Sequence, residues 1–105
     1  MSRIGLLQMD PTVGDLHNNS ERLVALAKLA EKQGASLGVS TELAVCGYPP
    51  RDLLLEDDFI RRSLNTALSL ESSLPLLVGT PLPAEDERAL PTNGVVRCGP
   101  DSGSI

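Results

Sequence analysis

The sequence predicts an α/β protein whose elements run strand, helix, strand, helix, strand, strand. Short apolar runs of strand length alternate with segments whose apolar residues recur at helical spacing. Glycine and proline clusters punctuate the joins. At 105 residues, with 41% hydrophobic and 22% charged residues, the chain has the size and composition of one folded domain and is too apolar for general disorder. Residues 1–105 are therefore read as a single folding unit.

Arg3 to Gln8 (RIGLLQ) reads as a buried strand that stops at Asp10-Pro11, with Val13-Gly14-Asp15 as the following loop. From about Asn19 to Gln33 a helix is expected, with Leu23, Leu26, Ala27 and Ala30 on one face. Asn18, Asn19 or Ser20 is placed to cap its start and Gly34 to stop it. Ala35 to Ser40 follows directly as a second strand, and strand, helix, strand calls for a parallel pair with a right-handed crossover. A second helix is expected from Arg51 to about Glu71, with Ile60, Leu64, Ala67 and Leu68 inward. Glu56, Asp57 and Asp58 suit its N-terminal turn, and Asp52 caps a preliminary turn through Leu55. Pro75 to Thr80 and Thr92 to Cys98 are the third and fourth strands, joined by the acidic, proline-rich stretch Pro81 to Pro91. The closing DSGSI reads as an unfinished turn.

Composition narrows the function classes. The net charge is -5, the nine basic residues are scattered, and Tyr48 and Phe59 are the only aromatics, so neither a phosphate-binding face nor a base-stacking platform is available for nucleic acid. The apolar run Ile4 to Leu7 is too short for a signal sequence or a membrane span. Cys46 and Cys98 form neither a CxxC pair nor a secreted-type framework. A cytoplasmic location, with both cysteines as small buried hydrophobes, is the expectation. His17 has no neighbouring ligand set, so no metal site is expected, and no glycine-rich phosphate loop supports a cofactor site in this chain. Asn18-Asn19-Ser20 matches a glycosylation acceptor in form but is read as helix capping.

In open α/β sheets, functional groups gather outside the carboxyl ends of the strands. Glu42 stands there, two residues past the second strand, with Leu43, Val45 and Tyr48 close enough in sequence to shield it. It is the candidate general base. Cys46 is four residues on, and an extended chain would hold it about 13 Å away, so a Glu-Cys pair is not expected.

Taken together, QMDPTVGDLHNN, KQGASLGVS, TELAVCGYPPRDLLL and LLVGTPLP resemble the nitrilase (carbon-nitrogen hydrolase) superfamily. Within it, they resemble the amino-terminal glutaminase domains of glutamine-dependent NAD synthetases. The most specific marker is GYPPRDLL, Gly47 to Leu54, directly after the glutamate. The resemblance implies the first part of an α-β-β-α sandwich and a Glu-Lys-Cys triad that hydrolyses the side-chain amide of glutamine and releases ammonia. Glu42 matches the general base and Tyr48 a loop tyrosine near the substrate pocket, whereas Thr41 stands where the family usually has proline. The family's lysine and nucleophilic cysteine come after the strand matching Thr92 to Cys98, and neither Lys28, Lys32 nor Cys98 matches them. The resemblance thus implies an isolated chain without glutaminase activity. It implies ATP and magnesium for a synthetase domain outside these residues. It also implies an uncovered sheet face, hidden by self-association or by pairing with the remainder of the fold. Two alternatives stand beside it: another nitrilase-superfamily amidase, and a non-catalytic interaction module derived from this fold.

Overall fold

The structure is a computed structural model and describes residues 3–47, 57–83 and 92–100. Its elements are β1 (Ile4–Leu7), α1 (Leu16–Lys32), β2 (Leu37–Ser40), α2 (Asp57–Leu68), β3 (Leu76–Leu82) and β4 (Thr92–Cys98). The predicted order is the observed one. Among the described residues the strands form one sheet in the order β1-β2-β3-β4. β1, β2 and β3 are parallel and β4 returns antiparallel, with Gly79 opposite Val95 and Pro81 opposite Asn93.

α1 lies on β1 and β2, α2 on β3 and β4, and the two helices touch. Between helices and sheet sits a core that includes Leu7, Leu23, Ala27, Phe59, Leu76, Val78 and Cys98. Strand alternation sends the other residues to the opposite face. There Ile4 is 62% exposed, Leu6 79% and Val95 64%, and no described element covers them. This corrects the reading of Arg3 to Gln8 as a buried strand: only its Leu7 side is packed.

α1 begins at Leu16, earlier than expected, because Asp15 is the cap: its carboxylate accepts the Asn18 backbone N–H at 3.2 Å and the Asn18 side-chain amide at 2.7 Å. The helix ends as predicted at Gly34, whose φ of 91° is left-handed. The Gly34 N–H donates to the Glu31 carbonyl and the Ala35 N–H to the Ala30 carbonyl, each at 3.0 Å, a paired closure that needs such a residue.

The described part of α2 starts at Asp57; the Asp52 turn and Glu56 lie outside the described residues. Its buried residues are Phe59, Ile60, Ser63 and Ala67, while Leu68 is half exposed. The inward stripe is thus rotated by about one residue from the predicted one. Ser63 is tolerated there because its hydroxyl donates to the Phe59 carbonyl at 2.9 Å, leaving no polar atom stranded.

Candidate functional site

Glu42 is set outside the carboxyl end of β2 by backbone features on three sides. At the end of β2 the Ser40 hydroxyl donates to the Thr41 carbonyl at 2.8 Å and accepts the Gly79 N–H at 3.0 Å, tying the exit of β2 to β3. Beneath the next peptide lies Gly79 itself. A Cβ there would stand 2.7 Å from the Leu43 nitrogen, 2.8 Å from the Thr41 carbonyl oxygen and 3.2 Å from the Glu42 carbonyl carbon. Only glycine lets the glutamate's own backbone rest on the strand. Leu43 then takes a φ of 49°, a left-handed conformation rare for leucine, and the Gly47 N–H closes the turn on the Leu43 carbonyl at 2.8 Å.

This turn drives Leu43, Ala44, Val45 and Cys46 into the core and leaves Glu42 exposed. The expected shield of Leu43 and Val45 is therefore not formed: both side chains serve packing below the turn. The Glu42 carboxylate instead meets Asn93 of β4, whose side-chain amide donates to Glu42 Oε1 at 2.6 Å. A cavity of about 310 Å³ opens beside the pair, with Val39, Leu77 and Val95 as its apolar floor and Thr41, Glu42 and Asn93 at its polar side. The Thr41 hydroxyl is buried without a hydrogen-bond partner among the described residues. An apolar floor with a few convergent polar groups is the usual make-up of a small-molecule site.

A buried asparagine holds the turn from behind. Asn19 lies on the apolar stripe of α1 and is fully buried. Its Oδ1 accepts the Thr12 N–H at 2.9 Å, and its Nδ2 donates to the Thr12 carbonyl and to the Val45 carbonyl, each at 2.8 Å. The Gly14 N–H adds a bond to the Cys46 carbonyl at 2.8 Å. The loop before α1 and the turn after Glu42 are thereby joined, so Asn19 is a bracket and not a cap. Its signal in the sequence was the spacing of Leu16, Asn19, Leu23 and Ala27, which puts an amide on the buried face. Asn93 and Gly79 had no comparable local signal.

Cys46 and Cys98 are free and fully buried, and burial pushes each thiol up from 9.0 to about 11. The Cys46 sulfur rests against the Leu43 and Gly47 carbonyls, pointing inward, while Glu42 points out. Thiols held neutral at pH 7 are not nucleophiles. His17 is exposed and pairs with Glu21 at 3.1 Å. Lys28 and Lys32 lie exposed along α1. Tyr48 and the rest of the GYPPRDLL segment after Gly47 lie outside the described residues. Among the described residues no group of three or more His, Cys, Asp or Glu could hold a metal ion, and no helix is long and apolar enough to cross a membrane.

No protein-family model matches the chain. It is 40% identical over 87 residues to the glutamine-dependent NAD(+) synthetase of Synechocystis, a match covering 79% of this chain and 16% of that protein. Its fold superposes with a TM-score of 0.71 on the glutamine-dependent NAD+ synthetase of Acinetobacter baumannii in complex with ADP, at 24% identity, covering 91% of this chain and 18% of that one. An amidase from Nesterenkonia gives a TM-score of 0.65 at 25% identity, covering 90% of this chain and 38% of the amidase. A further Nesterenkonia amidase structure, matched at a TM-score of 0.66, is named as one from the nitrilase superfamily. The chain therefore carries part of the nitrilase fold and is a partial homologue of the glutamine-dependent NAD(+) synthetases, spanning a small fraction of the length of the relatives it matches.

Proposed function

We propose that this chain is the amino-terminal part of a glutamine-hydrolysing NAD synthetase, in which Glu42 is the general base of the amidase centre. The observation that carries the proposal is the placement of Glu42: a carboxylate held outside the sheet on Gly79, beside a cavity, in a segment 40% identical to such a synthetase. The lysine and the attacking cysteine belong to the part of the domain beyond the matched segment, since Cys46 and Cys98 are buried and Lys28 and Lys32 lie along α1. A base without its nucleophile gives negligible turnover, because such residues act as a unit. The isolated 105-residue chain is accordingly expected to release no ammonia from glutamine above a Glu42→Gln control.

In the complete protein, Glu42 would take the proton from the nucleophile and return it to the leaving amine, and the ammonia would pass to a synthetase domain that uses ATP and magnesium to amidate deamido-NAD. Tyr48 is assigned to the glutamine pocket of the amidase domain, beside Glu42. The open face of Ile4 and Leu6 is covered by the remainder of the nitrilase fold, each side chain gaining about 1–2 kcal/mol as its remaining exposure is lost. The protein acts in the cytoplasm.

The test is a chimera in which the 87 matched residues of the Synechocystis synthetase are replaced by those of this chain. NAD synthesis driven by glutamine is expected to persist and to fall about 10²–10⁴-fold with Glu42→Gln, while synthesis driven by added ammonia is unchanged. Full glutamine use by Glu42→Gln would refute the assignment. The match to the Nesterenkonia amidase favours, as a second reading, an amidase acting on a different amide. A chimera active with ammonia but not with glutamine would select it.

A further inference from the structure

We infer that Asn93 is the positioning residue for Glu42. The inference rests on Glu42 as the base and adds what keeps its carboxylate in place. A base has to present one oxygen to its proton donor in a fixed direction, whereas an exposed glutamate on a turn samples several rotamers. Here β3 lies between β2, which leads into the Glu42 turn, and β4, which carries Asn93, and Asn93 still reaches Glu42 Oε1, at 2.6 Å. Gly79 makes that reach possible. It lies between them on β3, lines the same cavity, and, having no Cβ, lets the Thr41–Leu43 backbone that carries Glu42 rest directly on the strand. Asn93 is opposite Pro81 in the β3–β4 register, one alternation beyond the Gly79–Val95 pair, so it projects from the face on which Glu42 sits.

The choice of an amide is chemically specific. Asn93 donates a hydrogen bond with no net charge and no titration of its own, so it orders one oxygen without neutralising the base as a lysine or arginine would. With Oε1 held, Oε2 is left to take the proton. An aspartate at the same position would have the same shape but no donor.

The experiment uses the isotope-labelled 105-residue chain in solution, read by NMR. In the wild type the Asn93 amide protons are expected to exchange slowly with water and the Glu42 side-chain couplings to report one dominant rotamer. Asn93→Asp should lower the ratio of that rotamer to the others on the order of fivefold, with β3 and β4 backbone shifts unchanged. Asn93→His, which offers a ring N–H at similar reach, should restore it. In the chimera, Asn93→Asp should lower kcat for glutamine and leave its KM nearly as it was. Unchanged Glu42 couplings in Asn93→Asp, or freely exchanging Asn93 amide protons in the wild type, would overturn the inference. Should Asn93→Asp fail to fold, Asn93→His and the wild-type exchange rates still decide. The couplings do not depend on turnover, so a failure of the base assignment, read from Glu42→Gln in the chimera, is told apart from a failure of Asn93.

Discussion

Replacing Asn19 by alanine should cost this fold a large share of its stability. The side chain makes three hydrogen bonds, one of them fully buried, to the Val45 carbonyl, and two part-buried, to the Thr12 N–H and carbonyl. Each is worth about 0.5–1.5 kcal/mol net, with the buried one at the upper end because the stranded Val45 carbonyl has no route to water. The expected loss is about 2–3 kcal/mol, against a total of about 5–15 kcal/mol for a domain of this size. That corresponds to a fall of about 10–15 °C in Tm. Urea unfolding measures it as a lower midpoint with an unchanged slope. Asn19→Leu makes the test sharper, because it adds apolar volume to the buried stripe while stranding the same three groups. If hydrogen bonding is what matters, it should also be destabilised, and amide exchange at Gly14 and Gly47 should quicken in both variants. An Asn19→Leu protein as stable as the wild type would refute the bracket.

Other outcomes follow from the same geometry. Gly79→Ala places a Cβ against the backbone of Thr41, Glu42 and Leu43 and should destabilise by about 1–2 kcal/mol, whereas at Gly38 the nearest atoms are leucine methyls that can move, so Gly38→Ala should cost less; equal costs in calorimetry would count against the backbone contact. Leu7→Ala should cost about 2–4 kcal/mol and Leu6→Lys less than about 0.5, since Leu7 is buried and Leu6 is 79% exposed; the reverse order in urea would mean that the sheet faces are misassigned. At pH 8 the native thiols should react with a disulfide reagent about a hundredfold more slowly than the unfolded chain, as burial raises Cys46 and Cys98 from 9.0 to about 11. Because the folded-state value is the higher one, the contribution of each thiol to stability is complete below pH 9 and lost as pH rises towards 11; unfolding curves that stay level across that window in the wild type, but fall in a Cys46→Ala, Cys98→Ala double variant, would contradict this.

Much of the fold was legible because it rests on local rules. Gly34 had to end α1, since the closure of its last turn takes a left-handed residue, and the apolar runs marked all four strands to within about two residues. The N-terminus of α1 is not legible locally, because Asp15, Asn18, Asn19 and Ser20 are all competent caps, and choosing among them depends on where the preceding loop is tied down. The inward stripe of α2 was turned by one residue because helical spacing alone does not say that Ser63 can satisfy its own hydroxyl on the Phe59 carbonyl.

By itself the sequence determined the α/β order, the parallel start of the sheet, the inert character of both cysteines and the position of Glu42 just past β2. Each follows from periodicity, turn chemistry or the absence of a motif, and all of these act over a few neighbouring residues. Only the tertiary structure decided what surrounds Glu42. Asn93 is 51 positions away in the chain, Asn19 reaches Val45 across 26, and Gly79 matters only because another segment's backbone lies on it. It also decided which face of β1 is open. Alternation assigns Ile4 and Leu6 to one side and Leu7 to the other, but which side is covered depends on where the helices pack, a choice made by the whole chain at once.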